Sequence, residues 1–66
     1  MTGEELRIAR ERVHLTQKKL GELLGYSDRG AERMVQQWEH DKFPINPKHY
    51  RKLAEVLDVP LEKFIP

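Results

Sequence analysis

Two glycines four residues apart, Gly21 and Gly25, most constrain what this chain can fold into. Gly25 closes a run in which Leu20, Leu23 and Leu24 form an apolar stripe. Glycine takes positive φ without steric cost, so Gly25 is expected to stop a helix and turn the chain sharply. Gly21 sits inside the same run, where glycine costs about 1 kcal/mol against alanine. Close approach of another helix is the expected reason. Beyond the turn, Ala31, Met34, Val35 and Trp38 recur at the spacing of one helix face. Residues 16–39 therefore read as helix, glycine corner, helix, with Thr16 and Ser27 as the two N-cap candidates.

The flanks complete an all-α pattern of five short helices with no strand, one compact domain over residues 1–66. A first helix is expected over residues 3–13, capped by Thr2, with Glu4 and Glu5 in the turn where the helix dipole favours negative charge. Leu6, Ala9 and Val13 share its inner face and Ile8 flanks them. The third helix runs from Asp28 to about His40. Residues 43–45 form a loop, because proline restricts itself and its predecessor. Asn46 caps a fourth helix with Pro47 in its first position, and Tyr50, Leu53, Ala54 and Leu57 face inward. Residues 58–60 break it, and Leu61, Phe64 and Ile65 are spaced for a final single turn that closes the core.

Size and composition narrow the function classes. A 66-residue domain buries only about 60% of its unfolded surface, which leaves little room for a deep pocket beside a core. There is no cysteine, so disulfides and thiolate metal sites are excluded. His14, His40 and His49 share no metal-ligand spacing. There is no Gly-rich phosphate loop, and the one serine, Ser27, has no adjacent base in the pattern. The expectation is a protein that is not an enzyme, with no catalytic residue, metal, cofactor or small-molecule substrate. No apolar run approaches the ~20 residues of a membrane helix. The acidic N-terminus does not resemble a secretion signal, so a soluble cytoplasmic protein is expected. Net charge is only +1, yet Lys42, Lys48, Arg51 and Lys52 follow one another with no acid between them. Such a local field suits phosphate contact, although a solvated helix face would have the same composition.

A helix that projects from a glycine corner can enter the major groove of DNA while its predecessor crosses the backbone. The outward side of the 28–40 segment carries Asp28, Arg29, Glu32, Arg33, Gln36 and Gln37. Arginine and glutamine have the bidentate geometry that reads guanine and adenine. The run LRIARERVHLTQKKLGELLGYS, followed by VQQWEHDK and KLAEVLDVPLEKFI, resembles the Cro/repressor (XRE) family of helix-turn-helix regulators over residues 6–65. Leu15-Thr16-Gln17 is the most specific local match, supported by Leu20-Gly21, Gly25 and Trp38-Glu39. The resemblance implies sequence-specific binding of double-stranded DNA by a small transcriptional regulator, a repressor in the first instance, acting at the nucleoid. It implies a phosphate contact for Gln17, and a pairing of Arg10 with Glu39 that is structural. Glu39 lies about one helical turn further from Gly25 than in the family pattern. Two alignments follow, one anchoring the recognition helix on Ala31 and Met34, the other on Val35 and Trp38. Glu32 and Arg33 fall in the base-reading window under both, Arg29 under the first, Gln36 and Gln37 better under the second. His14 stands where the family often has glycine, so a differently shaped first turn is expected.

Phosphate contacts are expected on both flanks: from Gln17, Lys18 and Ser27 on one, and from Lys42, Asn46, Lys48 and the neighbouring His49 on the other. Trp38, Tyr50 and Phe64 fit the core by spacing, and Tyr26 half-exposed packing at the turn. His40 complements the dipole at a helix end, and Asp28 does so at a helix start. Glu32 stays open between that role and base reading. A homodimer on DNA would have to use the five-helix body, with the final turn as the expected contact. The competing class is a protein-interaction module on the same fold, such as an antitoxin or adaptor, which the near-neutral charge and the acids Asp28 and Glu32 favour. An RNA-binding role lacks the exposed aromatics that single strands require.

Overall fold

A computed structural model describes residues 1–65. It contains four α-helices, α1 (Gly3–Arg12), α2 (Gln17–Leu23), α3 (Asp28–Glu39) and α4 (Tyr50–Leu57), and two 3₁₀ turns, Pro47–His49 and Leu61–Lys63. No strand occurs among the described residues. The all-α class is as expected, but the fifth element is a 3₁₀ turn, and the fourth helix opens with one.

Helix starts follow local chemistry. Thr2 Oγ1 accepts from Glu5 N at 3.1 Å, while the Glu5 carboxylate accepts from Thr2 N at 2.8 Å. This reciprocal capping box holds the Glu5 carboxyl below its ordinary pKa, through the hydrogen bonds to the Thr2 backbone and then its hydroxyl. Thr16 caps α2 by accepting from Lys19 N, and Asn46 accepts from Lys48 N, both at 3.0 Å.

Helix ends share one device that the sequence displays only once. Gly25 has φ +100°, but His14 (61°), Asp41 (58°) and Asp58 (55°) are also left-handed. Lys42 N donates back to Gln37 O at 3.0 Å and Asp41 N to Trp38 O at 3.1 Å. That pair of bonds defines a Schellman stop, satisfying carbonyls the helix leaves open. The same pattern closes α1 at His14, through Leu15 N to Arg10 O, and α2 at Gly25, through Tyr26 N to Gly21 O.

The core comprises Leu6, Ala9, Leu20, Val35, Trp38, Leu53, Leu57 and Phe64. Each fully buried leucine contributes about 1.5–3 kcal/mol relative to its exposed state. Gly21 performs the expected close approach: a Cβ there would lie 2.6 Å from the Ala31 carbonyl carbon, with no side chain to give way. Gly3 is similarly constrained against the backbone of Trp38 and Glu39, and its N–H donates to Asp41 Oδ1 at 2.9 Å. Two positions expected inside are outside. Leu23 lies about 200° round α2 from the Gly21 contact and is 38% exposed. Ile65 is 53% exposed, because Phe64 takes the inward position against Tyr50. Val13, Tyr50 and Ala54 pack against the core only half-buried.

Candidate nucleic-acid interface

Two constraints fix α3. Its most extensive helix contact is with α2, where Ala31 is fully buried over Gly21. Its far end is tied down by Glu39. Arg10 Nε donates to Glu39 Oε2 at 2.6 Å and Arg10 Nη2 to Oε1 at 3.2 Å. Arg10 Nη1 donates to Leu15 O at 2.7 Å, and Gln17 Nε2 donates to Glu39 Oε1 at 3.1 Å. One carboxylate thus joins α1, the start of α2 and the end of α3. The pair is well buried, with side-chain exposures of 10% for Arg10 and 3% for Glu39.

Ala31, Val35 and Trp38 are all buried, whereas Met34 is half-buried. Val35 and Trp38, the anchors of the second alignment, are thus both in the core. In the first alignment only Ala31 is. Away from this face, Arg29, Glu32, Arg33 and Gln36 are exposed, and Asp28 is exposed in the first turn. Gln37 is half-buried and lies at the edge of that surface. The exposed charges of α3 balance, two acids against two arginines. Further cations come from the following segment, where Lys42, Lys48, Arg51 and Lys52 are all exposed. Ion pairs among the described residues use only Arg7 and Arg10 on the basic side, so Arg29, Arg33, Lys42 and Lys48 keep unpaired charges there. Arg33, Gln36, Gln37, His40 and Lys42 line one open cleft of about 320 Å³, which joins the outward side of α3 to the loop after it. His40 was expected only to complement the helix dipole; its place in this cleft depends on the α3 ending, which spacing alone does not reveal.

The expected phosphate-contact residues stand in different states. Lys18, Ser27, Lys42, Asn46 and Lys48 are exposed. Ser27 occupies the N-cap position of α3 yet makes no side-chain capping bond, leaving its hydroxyl free. Asn46 uses its carbonyl oxygen as a cap, so its NH₂ group is the outward donor. Gln17 is half-buried and spends one amide hydrogen on Glu39; its second remains. His49 is a correction: it is 7% exposed and cannot clamp a phosphate. Its Nε2 hydrogen-bonds the Tyr26 hydroxyl at 2.9 Å, and its ring packs 5.7 Å from Trp38. Burial, then the neighbouring Lys48 charge, lowers its pKa below the ordinary histidine value.

An amphipathic helix held at a glycine corner, buried on one side and lined with arginine and glutamine on the other, makes this a helix-turn-helix domain. Residues 6–64 match the Helix-turn-helix family, and the chain belongs to it, as a member of the Cro/repressor (XRE) type. The crystal structure of transcriptional regulator BswR aligns with 100% of the chain at a TM-score of 0.89 and 33% sequence identity. The chain spans 65% of that protein's length. No curated protein matches the sequence. No described helix is long and apolar enough to cross a membrane.

Proposed function

We propose that this protein binds double-stranded DNA in a sequence-specific way as a small cytoplasmic transcriptional regulator, acting as a repressor with α3 in the major groove. The observation that carries this reading is the two-sidedness of α3. Its inner face is locked onto Gly21 and into the core, while Arg29, Glu32, Arg33 and Gln36 stand outward together. These four, with Gln37 at the edge, are the proposed base contacts. Arginine would read guanine and glutamine adenine, and Glu32 would accept from a cytosine amine. Gln17, Lys18 and Ser27 on one side and Lys42, Asn46 and Lys48 on the other would hold phosphates and set the register. In this reading Arg10 and Glu39 do not touch DNA; they orient Gln17. A homodimer would place two such helices in half-sites one helical turn apart, ~34 Å.

A second reading, a protein-interaction module, is favoured by Asp28 and Glu32, which cancel the arginine charge on the same face. Salt separates the two. DNA binding weakens as salt rises, with a slope set by the phosphates neutralised, whereas docking on apolar surface is nearly indifferent to it. The experiment is selection from random duplexes followed by binding at several ionic strengths. An enriched motif, a negative salt slope, and relaxed preference at one position in Arg33→Ala are expected. No enriched motif, together with salt-insensitive binding to a protein partner, would overturn the DNA reading.

A further inference from the structure

Phe43 is the most exposed large apolar side chain among the described residues, at 57%, and the fold does not leave it out by accident of slack. The residue two before it, Asp41, is pinned by its Schellman stop and by Gly3. Lys42 N is bonded to Gln37 O. Two residues on, Ile45 packs against the core, and Pro44 and Pro47 fix φ on either side of it. The loop is therefore held on both sides of Phe43 while its ring faces outward. Burying a phenylalanine fully is among the larger single gains open to a small domain, and here it is not taken.

The ring stands over a cleft of about 360 Å³ that Phe43 and Pro44 share with Met34, Gln37 and Trp38 of α3 and with Asn46. Gln37 also lines the polar cleft of Arg33, Gln36, His40 and Lys42, so the two clefts adjoin across one side chain. Ile8, also exposed, lies instead over α1 and the Val59 and Lys63 region. Phe43 is thus an apolar surface at the edge of the α3 face, immediately next to one free cation, Lys42, with the Asn46 amide in the same cleft.

We propose that Phe43 packs against the deoxyribose of the DNA strand whose flanking phosphates are held by Lys42 and Asn46, so that the α3–α4 loop grips both the charged and the apolar parts of one backbone segment. The occupant is argued from complementarity: a sugar–phosphate strand alternates anionic groups with an apolar sugar face, and the loop presents cation, phenyl ring and amide donor in that order along the chain. The proposal rests on the DNA-binding reading above. It predicts a contact that adds affinity without releasing a counterion, and without sequence preference.

The test compares wild type, Phe43→Ala, Phe43→Leu and Lys42→Ala on the selected duplex, across a salt series, with thermal melting of each free protein. Phe43→Ala is expected to bind about tenfold more weakly, the loss from leaving roughly half a phenylalanine side chain wet. Its salt slope and base preference should stay those of wild type, its melting temperature should fall by only a few degrees for the part of the ring already packed on the protein, and Phe43→Leu should recover part of the lost affinity. Lys42→Ala should instead lower the salt slope by about 1. Wild-type affinity in Phe43→Ala would overturn the proposal. So would a slope change matching Lys42→Ala, or a loss traced by sedimentation to a broken dimer. If wild type itself binds no duplex, the DNA reading fails first, and this proposal fails with it for that separate reason.

Discussion

Replacing Glu39 by alanine is the sharpest test of how α3 is held. The carboxylate neutralises Arg10 and accepts three hydrogen bonds, two from Arg10 and one from Gln17. Both partners of the ion pair are nearly dry, so solvent screening discounts little of its energy. Without Glu39, the Arg10 guanidinium keeps the Leu15 carbonyl at 2.7 Å and the Glu11 carboxylate, more than half exposed, at 4.0 Å. A buried charge stripped of its partner costs about 3–5 kcal/mol. At roughly 0.05–0.15 kcal/mol per residue, a chain this long is stable by only about 3–10 kcal/mol. Glu39→Ala should therefore consume at least about 30% of the total and leave the fold marginal. Removing both charges is different: replacing a buried pair with apolar side chains of similar volume is often neutral. Arg10→Met and Glu39→Leu singly should each cost about 3–5 kcal/mol, whereas the two together should return to within about 1–2 kcal/mol of wild type, a coupling of at least about 4 kcal/mol. Urea unfolding followed by the single tryptophan, Trp38, which is buried, reads all four corners of the cycle. A cost below about 1 kcal/mol for Glu39→Ala, or single effects that simply add, would refute the claim that this pair clamps α3.

Two further outcomes follow from strained and buried groups. His14 holds φ +61° at the stop of α1 and is exposed, so His14→Gly should stabilise by about 0.5–1 kcal/mol, and thermal melting should rise by several degrees. An unchanged or lower melting point would contradict the strain. His49 has its pKa lowered in the fold, so below the ordinary histidine range the unfolded chain binds the proton that the native state refuses. Stability is then complete above about pH 6.5 and falls as pH drops through the folded pKa. His49→Gln should flatten that window in a pH series of urea midpoints, and a wild-type profile flat between pH 7 and 5 would count against it.

What could be read along the chain was whatever is decided within one turn. Thr2 with Glu5, Thr16, Asn46-Pro47 and Gly25 act on backbone groups one to three residues away, so their roles as caps and stop need no tertiary partner. The inward faces of α1, α3 and α4 follow from periodicity, because a 3.6-residue repeat fixes which residues share a side. The Gly21 approach was legible because glycine in mid-helix requires a reason, although the reason's identity, the Ala31 backbone, was not.

Other features depended on which neighbour arrives. Periodicity gave two equally good anchorings of α3, since adding a turn leaves the same face inward; the Arg10–Glu39 contact fixes where its end lies. The ends of α3 and α4 were legible near residues 40 and 58, but histidine and the αL tolerance of aspartate carry no marker of their own, so the left-handed backbone at His14, Asp41 and Asp58 was not. His49 read as a surface cation beside Lys48, but Tyr26 and Trp38 close over it from another part of the chain. Leu23 and Ile65 carry the same hydrophobicity as their buried neighbours and are left outside. The sequence alone settles where the four α-helices lie, the caps at Thr2, Thr16 and Asn46, and the apolar sides of α1, α3 and α4, because those are short-range properties of backbone and spacing. Tertiary structure decides which polar groups are sealed and which apolar ones, Phe43 above all, remain in water, because burial is a property of the neighbour and not of the residue.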